Sequence, residues 1–345
     1  MIFEILLTSC LAWDPTDCGT GRIPVDGDLA ACRERARTIA ANVPSSAELQ
    51  SFICTQADQV PEFGFSEIAP SVFVHQGQYA ARPTPENRGD LANFGFIIGE
   101  SSVAVIDTGM HPWIGRAILA AIRRETALPI SAIVLTGPRA GRVLGARPLL
   151  EDGGSVIGHA GLADTVAQAT PEYLGDLWAA GLDDLIASDI VLPDSGVEDT
   201  HTISLGNREL VLTAIANGPT GQDLMVRDTQ TGTLFLGDLL SHRRPPVISA
   251  DLIGWIEALE RLTSEPAERI VPGHGPVALP WPGGAAPTLR YLKSVLEDAE
   301  VEIARGTPEA EAIQRIGANE RGKWLFFDDI HPGNATRTLK VLQEE

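Results

Sequence analysis

The chain has 345 residues, 44% of them apolar, and a formal net charge of -20 at pH 7. This length and apolar fraction predict a globular protein with a large core, built as one large domain or two smaller ones. The negative charge argues against nucleic acid or an anionic membrane surface as a partner, and no apolar run approaches the ~18 residues of a membrane span.

All four cysteines lie near the N-terminus, at Cys10, Cys18, Cys32 and Cys54. An even set in one short segment predicts two disulfides in an oxidising compartment. A zinc site is the alternative, but the spacing contains no C-x2-C pair. Residues 2–13 are apolar, yet they lack a basic region and a clear cleavage site, so they do not form a clear signal peptide. The cysteines favour export, and a cytoplasmic location is the alternative.

Residues 1–62 are predicted to form a small N-terminal unit with the order strand, helix, strand. Its predicted elements are a strand at 3–11, a helix at 28–42 with Asp28 as the N-cap, and a strand at 49–54. A β-α-β unit of this size has little core, and disulfides contribute most in such units.

Residues 63–345 are predicted to form the main domain. A hairpin at 94–107 precedes a helix at 113–126, a strand ending at Thr136 and a helix at 143–150. A second β-rich stretch spans 190–240 and precedes a helix at 250–262, a strand at 269–272 and helices at 288–305, 308–316 and 335–343. Two β-rich halves, each followed by helices, imply a layered α/β architecture.

The turn after Thr136 is the most informative stretch. It has the sequence Gly137-Pro138-Arg139-Ala140-Gly141-Arg142 and joins a strand to a helix. In α/β proteins, ligands bind beyond the carboxyl ends of strands. We therefore expect the functional site at this turn.

Four segments, in this order, resemble motifs of the metallo-β-lactamase superfamily: residues 105–109, 133–145, 234–238 and 271–275. Together they cover about residues 67–280. The resemblance implies an αββα four-layer sandwich, in which two mixed sheets face each other with helices outside.

The resemblance extends to the proteins called quinoprotein relay system zinc metallohydrolases. It includes the N-terminal cysteine-containing unit and the stretches 86–93 and 324–336. This resemblance implies a periplasmic setting and components of a quinoprotein dehydrogenase system as partners.

Most zinc ligands of the superfamily are replaced in this sequence. Where the family has the turn T-H-x-H-x-D-H, the ligand positions hold Gly137, Arg139, Gly141 and Arg142, and Pro219 stands at a further His position. Only Asp238 and His274 keep the residue types of ligands. Two ligands cannot hold catalytic zinc tightly, and two guanidiniums would repel a cation. We therefore predict that zinc is lost and that no cofactor is bound.

The two arginines suggest two hypotheses. In the first hypothesis, Arg139 or Arg142 forms an ion pair with Asp238 and substitutes for zinc, because a lone buried carboxylate is costly. The alternative is that both arginines point to solvent. In the second hypothesis, Arg139 and Arg142, together with Arg243 and Arg244, form a cleft for a small anionic ligand, such as a carboxylate. Other candidates for the pocket lining are Asp107 and His242, whereas surface or capping positions are predicted for His75, His111, His201 and His331.

We predict a non-catalytic binding or accessory protein of a quinoprotein (PQQ)-linked pathway, with the fold of a metallohydrolase. One alternative is a metal-dependent hydrolase with an atypical mononuclear site on Asp238, His274 and His242. Another is a metal-free enzyme that uses the arginine-lined pocket.

Overall fold

The computed structural model describes residues 2–11, 14–43, 47–56, 63–182 and 190–344. Within these residues, no helix has the length and apolar character needed to cross a membrane.

The N-terminal unit is a three-stranded antiparallel sheet covered by one helix. Its elements are β1 (Ile2–Leu11), β2 (Asp14–Asp26), α1 (Leu29–Ala41) and β3 (Ala47–Gln56), with the sheet order β2-β1-β3. Asp28 caps α1 as predicted, because its carboxylate accepts from the backbone N–H of Ala30 and Ala31 at 2.9 Å. The strand β2 is an addition to the predicted unit; its sequence is rich in Gly, Pro and Asp, which strands disfavour.

A disulfide joins Cys32 on α1 to Cys54 on β3. It crosses a small buried cluster in which Ile5, Ile23 and Ala36 pack around Cys32. The predicted bridging of cysteines is therefore confirmed for this pair. Cys10 and Cys18 are opposite each other in the register of β1 and β2, and their side chains lie outside the described part of the chain.

The first sheet of the main domain has seven strands in the order β10-β9-β8-β7-β6-β5-β4. The strands are β4 (Ser66–Ala69), β5 (Val72–His75), β6 (Phe94–Ile98), β7 (Val103–Ile106), β8 (Ile130–Val134), β9 (Ser155–His159) and β10 (Ser195–Val197). The pairs from β4 to β7 are antiparallel, and those from β7 to β10 are parallel. The helices in this half are α2 (Pro112–Glu125), α3 (Ala140–Val143) and α4 (Leu162–Ala179).

The second sheet has six strands in sequential order. They are β11 (Thr200–Ser204), β12 (Glu209–Ile215), β13 (Asp223–Asp228), β14 (Thr233–Ser241), β15 (Arg269–His274) and β16 (Leu279–Pro280). The helices of this half are α5 (Leu252–Thr263), α6 (Ala286–Arg305), α7 (Glu309–Arg315) and α8 (Phe327–Glu344).

Three apolar clusters define four layers. The central cluster joins the inner faces of both sheets, with Ile106 and Val134 from the first and Leu212 and Val226 from the second. A second cluster packs the first sheet against α2, and a third packs the second sheet against α5, α6 and α8. The predicted αββα sandwich is confirmed.

One predicted helix is wrong. The segment 143–150 was expected to be a single helix, but it divides between α3 and a 3-10 turn at Arg147–Asp152. Pro148 lacks the backbone N–H that a continuous helix needs there. The resulting short α3 keeps Arg142 close to the ends of the strands.

Candidate functional site

The site lies at the ends of β7, β8 and β15, beside Asp238 within β14. Asp107 follows β7, the turn 136–142 follows β8, Asp238 lies within β14, and His274 ends β15. Parallel pairing brings these residues together, because Ile106 pairs with Val134 in the register of β7 and β8, and Gly237 pairs with Pro272 in that of β14 and β15. The two sheets meet at this edge, because the backbone N–H of Leu224 on β13 donates to the Thr136 carbonyl at 2.8 Å.

Arg142 is the centre of the site and is 1% exposed. Its Nη2 donates to Asp238 Oδ1 at 2.7 Å, and its Nη1 donates to Asp107 Oδ2 at 3.1 Å and to the Asn93 carbonyl at 2.9 Å. A Cβ at position 273 would collide with Nη2, so the glycine makes room for the guanidinium. Arg142 therefore joins the ends of β7 and β14 by charge-assisted hydrogen bonds.

The two carboxylates differ in their surroundings. Burial raises the pKa of Asp107 to about 6, although Arg142 and hydrogen bonds from the Thr136 N–H and hydroxyl lower it. Burial also acts on Asp238, but the charge of Arg142, the contact with His274 and the charge of Arg139 hold the pKa of Asp238 well below its usual range. Asp238 is thus the principal anion of the site.

Arg139 is a second, more exposed partner of Asp238. Its Nε lies 3.4 Å from Asp238 Oδ2, and its Nη2 donates to the Val247 carbonyl at 2.9 Å and to Ser249 Oγ at 2.8 Å. The expected ion pair with Asp238 is present, and both arginines contribute to it.

His274 presents a neutral ring to the site. Its Nδ1 donates to the Leu91 carbonyl at 2.8 Å, while Nε2 lies 3.5 Å from Asp238 Oδ1. Burial and the charge of Arg244 lower the pKa of His274 to about 4, although Asp238 opposes this shift. With the proton on Nδ1, the Nε2 of the neutral ring is an acceptor.

Arg244 is a cation without a hydrogen-bond partner for its Nε. This atom is buried and makes no hydrogen bond with any described atom. Burial lowers the pKa of Arg244 to about 10; Asp238 raises it, and Arg139 and Arg142 lower it further. The side chain therefore remains charged at neutral pH, with donor capacity to spare.

These groups line a cavity of about 550 Å³. Residues from the predicted set that line it are Arg139, Gly141, Arg142, Asp238 and His274. Arg244 lines it as well, and α4 supplies a wall with Glu172, Tyr173 and Asp176. The volume is typical of pockets for small organic ligands.

Other predicted positions lie behind or outside this cavity. Asp107 is covered by Arg142, and Gly137 faces the buried Asp223. The Pro219 carbonyl accepts from the Ser249 N–H at 3.3 Å. His242 is not a lining residue of the cavity, and its Nε2 donates to the Gly284 carbonyl at 2.7 Å.

Arg243 is exposed and does not line the cavity either. It has a positive φ of 69°, and its carbonyl accepts from the Leu325 N–H. His242 and Arg243, which were predicted to line the cavity, are not among its lining residues, whereas Arg244 in the same loop is.

The surface or capping assignment holds for His111, which accepts from the Trp113 N–H and caps α2. It is wrong for His75 and His331, both of which are buried. His75 Nε2 contacts Asp90 at 2.9 Å, and His331 lies between the Tyr291 hydroxyl and the Ile316 carbonyl.

Sequence reasoning missed Asp223, which begins β13. Its Oδ2 accepts from the N–H and hydroxyl of Thr220 at 2.9 and 2.8 Å, while its buried Oδ1 has no described partner. Burial raises the pKa of Asp223 to about 7. The position of Asp223 directly after the turn 217–222 is the sequence feature that could have identified it as a residue of the site.

Within the described residues, no group of three or more His, Cys, Asp or Glu side chains is placed to hold a metal ion. At the centre of the site, Asp238 and His274 face a guanidinium whose Nη2 is 2.7 Å from the Asp238 carboxylate. The arrangement is a cation-carboxylate cluster at the base of an open cavity.

Comparison with known proteins identifies a family relationship. The sequence model of the "Metallo-beta-lactamase superfamily" matches residues 87–274. A search of curated protein sequences finds no match.

Solved structures share the fold. A metallo-beta-lactamase from Pontibacter korlensis superposes with a TM-score of 0.53 at 20% identity, covering 67% of this chain and 99% of that chain. The stereoselective inverting sec-alkylsulfatase Pisa1 from Pseudomonas sp. superposes with a TM-score of 0.60 at 14% identity, covering 81% of this chain and 50% of that chain.

Proposed function

The chain belongs to the metallo-beta-lactamase superfamily, and we propose that it is a non-catalytic member in which Arg142 takes the place of the metal and the cavity binds a small anionic ligand. The observation that carries this proposal is the buried Arg142 guanidinium, held between Asp238 and Asp107 at 2.7 and 3.1 Å.

The residues present do not fit the zinc that the family implies. A catalytic zinc needs three protein ligands and an open position for water. The chain offers Asp238 and His274, and the acceptor Oδ1 of Asp238 is already bonded to Arg142. A dication beside this guanidinium would be repelled at short range in a buried site. We therefore derive no hydrolytic step through a metal.

Arg142 replaces what a metal does for the scaffold. Its Nη1 and Nη2 connect the loop of Asn93 with the ends of β7 and β14. The backbone carbonyl of Arg142 also accepts from the N–H and hydroxyl of Thr108 at 3.0 and 2.9 Å. A planar guanidinium suits this role, because it offers five donors in fixed directions.

The positive charge around Asp238 supports binding of an anion. Four arginines line the cavity, and three of them, Arg139, Arg142 and Arg244, interact electrostatically with Asp238. The other acidic residues of the lining, Glu172 and Asp176, lie on α4. Asp107 balances part of the charge from behind. Arginine binds carboxylates in a bidentate manner, so a carboxylate ligand would pair with the guanidinium of Arg244, which lines the cavity.

We further propose a periplasmic role beside a quinoprotein dehydrogenase system. The support is the resemblance of stretches 86–93 and 324–336, together with their place in the fold. Asn93 donates to the carbonyls of Pro272 and Gly275 at 2.8 and 3.0 Å. Asn334 bonds the Pro246 carbonyl and the Ile248 N–H at 2.7 and 2.9 Å. Both stretches thus hold loops that carry cavity residues.

Two titrations test the binding proposal. Calorimetry with zinc on protein purified without chelator should show no stoichiometric binding, and pentanoate should bind and raise the melting temperature. Arg244→Ala should abolish the pentanoate effect, whereas Arg243→Ala, in the exposed neighbour, should retain it. Stoichiometric zinc would instead support the mononuclear hydrolase.

A substrate panel tests the absence of catalysis. Esters, lactones, thioesters, β-lactams and alkyl sulfates should show no turnover above a buffer control. Turnover that persists with chelator and is lost in Arg244→Ala would contradict the non-catalytic assignment and favour a metal-free enzyme.

A further inference from the structure

The cavity has an acidic wall as well as basic groups. Glu172 and Asp176 lie one turn apart on α4, so they share a helix face, and both line the cavity. Both side chains are exposed, and neither forms an ion pair with a described side chain. Two like charges at this spacing repel each other, and a cation placed between them would relieve that repulsion.

Tyr173 fixes this wall beside the arginine turn. Its hydroxyl donates to the Pro138 carbonyl, the residue before Arg139. Burial and the negative charge of Glu172 raise the pKa of Tyr173 to about 12, and the positive charge of Arg139 opposes them. The pKa of Tyr173 therefore depends on both an acidic and a basic group of the same cavity.

An anionic subsite exists independently of the acidic wall. The Nε of Arg244 is buried without a described hydrogen-bond partner, although Arg244 lines the cavity. The Arg244 guanidinium therefore has donor capacity left for a ligand carboxylate. The neutral Nε2 of His274 adds an acceptor nearby.

We propose that the ligand is zwitterionic: its carboxylate binds Arg244 and Arg139, and its ammonium group binds Glu172 and Asp176. This inference rests on the proposed function, which supplies only the anionic half. A cavity of about 550 Å³ accommodates a short amino acid with room for bridging water.

Arg82 is the group that could favour a different ligand. It is exposed and also lines the cavity. If Arg82 neutralises the acidic wall or adds a second anion site, a dicarboxylate would bind better than a zwitterion. The choice between the two ligand classes is therefore a direct test.

Calorimetry with a matched ligand series makes the test. The series contains pentanoate, 5-aminopentanoate, pentylamine and glutarate, extended by ω-amino acids from glycine to 6-aminohexanoate to allow for the unknown spacing. The best ω-amino acid should bind about five- to tenfold tighter than pentanoate. In Glu172→Gln/Asp176→Asn this advantage should vanish while pentanoate still binds.

Asp164→Asn is the matched control, because Asp164 is an exposed acid on α4 outside the cavity; it should preserve the advantage. Pentanoate binding without any preference for an amino acid overturns the zwitterion proposal and leaves the proposed function intact. Tighter binding of glutarate also overturns it. If no acid binds at all, the proposed function fails as well.

Discussion

Replacing Arg142 by Met should be among the most destabilising single changes in the main domain. Met keeps the length and flexibility of the side chain but removes the charge and donors. The change leaves the buried carboxylates Asp238 and Asp107 and the Asn93 carbonyl without these partners. Breaking a buried ion pair by removing one partner costs about 3–5 kcal/mol. Urea unfolding at pH 7 should show a loss of this size.

The pH dependence of this loss identifies its cause. In the native protein Asp238 has a folded pKa below its unfolded value, so its contribution is present above the unfolded pKa and lost as pH falls. Without Arg142, burial should instead raise the pKa of Asp238, and ionisation at higher pH would destabilise the variant. The difference in stability between native protein and variant should therefore grow from pH 5 to pH 8.

Two further variants complete the test. Arg142→Met/Asp238→Asn should recover part of the loss, because a neutral amide costs less to bury than an unpaired carboxylate. Arg208→Met breaks the buried pair with Asp228, which lies outside the cavity, and should lose stability while retaining pentanoate binding. A loss below about 1 kcal/mol for Arg142→Met at pH 7 would refute the metal-replacement role.

Two other changes probe separate parts of the chain. The folded pKa of Asp223, about 7, lies above its ordinary value of 3.8, so its favourable contribution is present below pH 3.8 and lost as pH rises through 7. Asp223→Asn should remove about 2.7 kcal/mol of the stability change between pH 5 and pH 8; urea unfolding at these two pH values measures it, and an unchanged difference would count against the shifted pKa. Cys32→Ser/Cys54→Ser should lower the stability of the N-terminal unit by about 3 kcal/mol, as followed by hydrogen exchange in α1. Carboxylate binding should be unchanged in that variant, because neither cysteine lines the cavity.

The layered fold was predictable because its strands are encoded locally. The run 103–106 is apolar and buried throughout, and the run 130–134 is apolar and buried except at Ser131. The strand β2 was not predictable in the same way, since pairing with β1 overrides the weak strand propensity of its residues. Tertiary pairing, not local sequence, creates that element.

The ion pair at Asp238 could be predicted from charge alone, but the other residues that line the cavity could not. A buried Asp238 needs a cation, and the nearest candidates in the turn were Arg139 and Arg142. Nothing in the sequence separates Arg243 from Arg244, because the choice depends on the positive φ of Arg243, which turns one side chain to solvent and the other to the cavity. Asp223 comes to the site only when β13 pairs across the edge of the first sheet.

The same residue type has two roles at this site, and the difference lies in how many donors are used. All three guanidinium nitrogens of Arg142 bond Asp238, Asp107 or Asn93, so this side chain has little capacity left for a ligand. Arg244 lines the same cavity with an unused Nε. A metal would combine both roles, since it binds the protein and keeps a position open. Here the structural role falls to Arg142 and the binding role to Arg244, so loss of Arg142 should reduce stability first, whereas loss of Arg244 should reduce affinity first.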